Sequence, residues 1–170
     1  VLGLSSFMAA TVAIGNDLSG PTPIIESTTS QIMAIVGEAP DYFGTDPDRF
    51  YNEIAAVLDK TIDWRGFAKG VMGDYASNAR YRSLDDAGRK ALRDQLHTFT
   101  NVMKSGLIRT YAKGLLAFSG SKFEIVDDET IDPNARSASI TQLVYGSGDR
   151  TYTVRYQMGR SRDGRWRLRN

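Results

Sequence analysis

The stretch HTFTNVMKSGLIRTYAKGLLAF, residues 97–118, decides the fold. Extended back by one and a half turns, it carries Leu92, Leu96, Phe99, Met103, Leu107, Tyr111, Leu115 and Phe118 at intervals of three or four. That spacing gathers the side chains on one side of an α-helix, as a stripe about seven turns long. Ile108, Ala112 and Leu116 add a shorter apolar row beside it. Gly106, Thr110 and Gly114 form a seam of small residues at i, i+4 and i+8. Each glycine inside a helix costs roughly 0.5–1 kcal/mol relative to alanine, so the seam is expected to admit a neighbouring helix or a ligand. Gly106 and Gly114 are also the places where so long a helix is expected to bend.

Working backwards, Ser83-Leu84-Asp85-Asp86 reads as a capping box with Asp in the usual place of Glu, and its acids suit the positive end of the helix dipole. Asp63 is placed to cap a short helix bearing Trp64, Phe67 and Val71, which Gly73 stops. Asp46 caps, and Pro47 opens, a helix whose inner face is Phe50, Ile54, Val57 and Leu58. Residues 23–36 read as a first helix, with Ile25, Thr28, Ile32 and Ile35 on one side.

Working forwards, the apolar period changes to two after Gly120. Residues 122–126, 137–145, 151–158 and 165–169 predict four strands, with hairpin turns at 146–149 and 160–164. Tyr152, Val154, Tyr156 and Met158 share one face of the third strand, and Trp166 and Leu168 one face of the fourth. Helices followed by an antiparallel meander give an α+β fold.

A chain of 170 residues is long enough for one domain with a real core. Its net charge of +1 creates no field that would recruit nucleic acid, and no nucleic-acid partner is expected. Without cysteine there is no disulfide, no CxxC pair and no Cys/His zinc cluster. Residues 1–15, VLGLSSFMAATVAIG, are apolar and uncharged, yet shorter than the about 20 residues that span a bilayer. They resemble the apolar core of a secretory signal, with Ala13-Ile14-Gly15 as a small-x-small cleavage site. The bland alternative is a buried N-terminal helix. Export is the expectation, with residues 16–170 forming a single domain.

The sequence offers little chemistry. His97 is the only histidine and sits on the long helix, with no nucleophilic elbow or second metal ligand near it. Asp127-Asp128-Glu129, with Asp132 following, reads as a solvated turn, because a calcium loop needs more oxygen ligands around a sharp glycine turn. No catalytic residue, metal or cofactor is expected. Arg165, Arg167 and Arg169 alternate with Trp166 and Leu168, so they face away from the core, either as a solvated face or as a docking surface.

From residue 27 to residue 170 the chain resembles the MlaC family, also called the toluene-tolerance family of lipid-transport auxiliary proteins. The resemblance lies in the order TTSQIMAIV, DPDRFYNEIAAVL, IDWRGFAKGVMG, the long helix with Phe99, Tyr111 and Leu115, and the strands ending in YQM and GRWRLRN. The family pattern continues beyond Asn170 with a further strand and helix, which are expected to be missing from these 170 residues. The resemblance implies a periplasmic carrier of a diacyl phospholipid, tails buried and headgroup exposed. It implies shuttling between an outer-membrane lipoprotein–porin complex and an inner-membrane ABC transporter complex, without catalysis.

The resulting expectation is an α+β fold in which the long helix packs on the meander and encloses an apolar cavity. Its lipid-binding residues are Phe67, Val71, Leu96, Phe99, Met103, Leu107, Tyr111, Leu115, Tyr152, Val154, Tyr156, Met158, Trp166 and Leu168. Arg165, Arg167 and Arg169 dock partners. Two other readings stay open. A cone-like α+β enzyme acting on a small hydrophobic substrate needs a buried carboxylate or histidine in its pocket. A structural adaptor without ligand needs a filled core.

Overall fold

The computed structural model describes residues 20–126, 131–132, 134–146 and 150–169. The expected signal segment, the acidic run 127–129 and the 147–149 turn lie outside them.

Among the described residues five α-helices precede a four-stranded sheet: α1 (Pro21–Glu38), α2 (Pro47–Thr61), α3 (Trp64–Met72), α4 (Asn78–Ser83) and α5 (Asp86–Leu115), then β1 (Lys122–Ile125), β2 (Ser137–Tyr145), β3 (Thr151–Arg160) and β4 (Trp166–Leu168). The strands pair in sequence order and each pair is antiparallel, as the meander pattern predicts. Asp46 accepts a hydrogen bond from Arg49 N (3.1 Å) to cap α2, and Asp63 accepts one from Gly66 N (2.9 Å) to cap α3. Gly73 ends α3 with φ of 55°, a conformation that favours glycine.

The start of α5 differs from the expected box. Asp85 is the cap, accepting from Gly88 N at 2.7 Å, while the Ser83 hydroxyl donates to Arg80 O and closes α4. Once α4 claims Ser83, the next residue with a short acceptor side chain takes over. From Asp86 to Leu115, α5 runs as a single α-helix. The Gly106–Thr110–Gly114 seam is exposed, and a Cβ added at either glycine would meet nothing within 4 Å. No helix of the described residues approaches there.

Two apolar clusters share α1. The Ile25 end joins Ile140, Met158 and Trp166 of the sheet; the Val36 end joins Phe50 and Ile54 of α2 and Ile108 and Ala112 of α5. The sheet is therefore covered by α1, whereas the sequence reading set the α5 stripe against it. Ion pairs hold α5 on α2 instead: Lys104 Nζ lies 2.6 Å from Asp59 Oδ2, and Arg109 Nη2 lies 2.7 Å from Asp48 Oδ1. The C-terminal end of the helical segment reaches the sheet through Phe118, whose ring stands edge-on to Tyr152 at 5.7 Å. Between α1 and the sheet runs a polar chain. The Tyr156 hydroxyl donates to Gln142 Oε1 (2.9 Å), and Gln142 Nε2 donates to Thr29 Oγ1 (3.1 Å). Burial raises the Tyr156 pKa, and the chain satisfies polar groups that would otherwise carry a desolvation penalty.

Candidate functional site

The link between α2 and α3 positions the site. Ile62 forms a parallel bridge with Leu168, and Asp63 N donates to Leu168 O at 3.2 Å, so the α2–α3 corner is stitched to the edge strand β4. Trp64 leaves this corner with its indole N–H donating to Asp59 (3.0 Å). Between α2, α3, α5 and β4 a pocket of about 290 Å³ opens to solvent. Ile54, Leu58, Ile62, Trp64, Phe67, Leu107, Ile108, Tyr111, Ala112, Leu115, Leu168 and Arg169 line it. Its walls are apolar or aromatic except for Arg169, and they include no carboxylate and no imidazole. Such a lining offers mainly apolar surface to a ligand.

Five of the fourteen expected lipid-binding residues meet in this pocket: Phe67, Leu107, Tyr111, Leu115 and Leu168. The α5 stripe divides at its middle. Ile108 and Ala112, the shorter row, turn into the helical core, while Leu107, Tyr111 and Leu115 border the pocket, with Tyr111 69% exposed. Val71 is exposed on a neighbouring pocket of about 450 Å³, lined by Asp63, Gly66, Phe67, Gly70, Val71 and Arg169. Leu96 is buried under a third pocket bordered by Arg65, Lys69 and Arg93. Phe99 and Met103 are half-buried on α5. Met158 and Trp166 are buried against α1, with Tyr156 packed on them. Val154 is half-buried, and Tyr152 is exposed beside Phe118. The structure thus separates a pocket group on α3, α5 and β4 from a sheet group under α1. Ile108 and Ala112 also line the pocket, and Ile54, Leu58, Ile62 and Trp64 join it without having been assigned to it. Their signal was the α2 inner face continuing into Ile62-Asp63-Trp64.

The three strand arginines do not form one free face. Arg165 is paired with Asp163, whose carboxyl is held well below the usual range chiefly by that hydrogen bond. Arg167 Nη1 donates to the carbonyls of Asp59 (3.1 Å) and Lys60 (2.7 Å), at the C-terminal turn of α2. Arg169 stands on the pocket rim. His97 is exposed, with Asn101 Nδ2 3.4 Å from its ring. Among the described residues no group of three His, Cys, Asp or Glu side chains is arranged to hold a metal, and no helix is long and apolar enough to cross a membrane.

Comparison with known proteins agrees with this architecture. The toluene tolerance protein ttg2D of Pseudomonas putida is 24% identical over 171 aligned positions, covering 98% of this chain and 69% of its own length. A solved phospholipid-binding protein from Ralstonia solanacearum, in complex with a phospholipid, superposes with a TM-score of 0.67 at 15% identity. That match covers 85% of this chain and 73% of the other, and it establishes a common fold. The family description "MlaC protein" matches residues 26–170, and on that match the chain belongs to the MlaC family.

Proposed function

We propose that the protein is a periplasmic phospholipid carrier that shuttles lipid between an outer-membrane lipoprotein–porin complex and an inner-membrane ABC transporter complex. The observation that carries the reading is the pocket between α2, α3, α5 and β4, apolar on every side but one. Transferring two acyl chains of roughly 14 methylenes each from a bilayer to water costs about 20 kcal/mol. A carrier replaces the bilayer with apolar protein surface, and this lining supplies it. The family membership and the bound phospholipid of the Ralstonia solanacearum protein point the same way.

At about 290 Å³ the pocket lies at the small end of the roughly 300–1,000 Å³ range of ligand sites. It accommodates part of one tail, so a full diacyl lipid requires the pocket to widen. A non-catalytic role is supported by the absence of any carboxylate, imidazole or thiol among the pocket's lining residues.

Organic extraction and mass spectrometry of natively expressed protein tests the carrier reading. Stoichiometric diacyl phospholipid is the expected result, and folded protein that extracts free of lipid overturns it. Transfer of labelled lipid between donor vesicles and purified membrane complexes tests the shuttle role.

A further inference from the structure

The apolar pocket has one charge on its rim. Arg169 is its only ionised lining residue, and it also borders the adjoining pocket floored by Gly66 and Gly70. Its backbone N–H donates to Gln157 O at 2.8 Å, which fixes the residue at the sheet edge. Its side chain lies across Gly159 of β3, where an added Cβ would collide with the Nε, Cζ and Cδ atoms of Arg169. The path of the arm therefore depends on glycine at 159. The guanidinium makes no hydrogen bond or ion pair with the described residues. The carboxylate beside it, Asp63, is engaged in capping α3 through Gly66 N. Of the two glycines in that pocket, Gly70 faces open space, since an added Cβ would meet nothing within 4 Å, whereas the Asp63 carboxylate covers Gly66.

A guanidinium offers five N–H donors in a planar fork that matches two phosphate oxygens, and its charge roughly doubles the strength of each bond. Here that fork stands where an apolar pocket gives way to an open, glycine-floored one. We propose that Arg169 is the phosphodiester-binding residue of a headgroup subsite. The tails occupy the pocket between α2, α3 and α5, the phosphate rests on Arg169, and the rest of the headgroup extends over Gly70. This assignment rests on the phospholipid-carrier reading and adds a selection rule. The protein prefers diacyl lipids that carry a phosphate over those that lack one, with little regard for what is esterified beyond it.

Delipidated protein is titrated with two fluorescent probes that share the same tails, a phosphatidylcholine and a diacylglycerol without phosphate. Arg169→Gln and Gly159→Ala, the latter keeping the charge but displacing the arm, are each expected to weaken the phosphatidylcholine about tenfold. Both should leave diacylglycerol binding unchanged, and Arg155→Gln, on an exposed position of β3, should change neither. Thermal unfolding checks that each variant is folded. Where Gly159→Ala is not, Arg169→Gln decides. Phosphatidylcholine binding unaltered by Arg169→Gln overturns the subsite and leaves the carrier reading standing. Equal weakening of both probes also overturns it, since Arg169 would then act on the pocket's shape. Wild-type protein that binds neither probe defeats the carrier reading, and this inference with it. Inorganic phosphate provides the remaining arm. If it stabilises the wild type through Arg169 while lipid affinity ignores Arg169→Gln, the site is for a free anion and the headgroup assignment fails.

Discussion

Lys104 Nζ and Asp59 Oδ2 lie 2.6 Å apart, tying the middle of α5 to the last turn of α2. Asp59 also accepts the Trp64 indole N–H, and its main-chain carbonyl accepts from Arg167. One carboxylate residue thus joins α2, α3, α5 and β4, the four elements that frame the apolar pocket. Both charged groups are partly exposed, at 26% for the Lys104 side chain and 45% for Asp59, so water and salt screen the pair. Lys104→Met is expected to lower stability by about 1 kcal/mol or less, with the difference shrinking at high salt. Asp59→Ala also strands the indole and is expected to lower it by about 2 kcal/mol. Urea unfolding at low and high salt checks both values.

Arg167 should behave as a structural residue. Its guanidinium satisfies two carbonyls at the C-terminal turn of α2, where helix carbonyls lack intrahelical donors and cations oppose the dipole favourably. Arg167→Gln is expected to cost about 1–2 kcal/mol of stability. Charge reversal at Arg165, which is exposed and paired locally with Asp163, should leave stability within about 0.5 kcal/mol. Denaturation of the two variants side by side separates the roles that a shared alternation pattern merges.

Local signals carried much of this fold. Asp46 and Asp63 cap the helices that follow them, and the change of period after Gly120 marks the meander. What stayed illegible depends on neighbours distant in sequence. Ser83 looked like the cap of α5 because α4, NARYRS, has no apolar periodicity to announce it. Arg167 looked outward because alternation within a strand says nothing of an adjacent helix end. The pocket itself was half legible. Periodicity marked both Leu107 and Ile108 as apolar, but only the placement of α1 and α2 decides that Ile108 is buried in the core behind the pocket while Leu107 stays partly open to it. Likewise the sheet residues Met158 and Trp166, expected to line a lipid cavity, are buried against α1.

Stability should respond to pH at both extremes through the Tyr42–Glu53 pair. Its hydroxyl donates to Glu53 Oε2 at 2.7 Å, and Glu53 Oε1 accepts from Arg49 Nε at 2.8 Å. Burial, followed by the hydrogen bond to Glu53, pushes the Tyr42 pKa up to about 12. A raised pKa means the folded state holds the proton more tightly. The associated stability is complete below the ordinary value of about 10 and is lost as pH rises from there toward about 12. Glu53 is shifted the other way, chiefly by the Arg49 hydrogen bond, so its contribution is present above the usual glutamate range and is lost as pH falls through and below it. Tyr42→Phe should flatten part of the alkaline loss, to which Tyr145 and Tyr156, also raised, contribute as well. Glu53→Gln should flatten part of the acid loss. Urea midpoints across both pH ranges check the two signs.

Leu107 and Phe50 provide the sharpest contrast between open and filled interior. Phe50 is fully buried and meets the rings of Phe43 and Tyr51 edge-on at 5.3 and 5.6 Å. Leu107 is only partly buried and borders the pocket. Removing a packed aromatic leaves a cavity, so Phe50→Ala is expected to cost about 3–5 kcal/mol. Leu107 already faces open space in the lipid-free protein, and Leu107→Ala should cost less than about 1.5 kcal/mol, below the usual range for a core leucine. Leu107→Arg extends the contrast. A charge beside the tails is unfavourable unless it reaches water, which the open side of the pocket allows in the empty protein and a bound lipid would prevent. The variant should therefore fold and stay soluble while losing lipid. Denaturant unfolding of delipidated wild type and variants, with lipid extraction of the same preparations, decides the matter. Loss of several kcal/mol in Leu107→Ala, or failure of Leu107→Arg to fold, would make Leu107 an ordinary core residue.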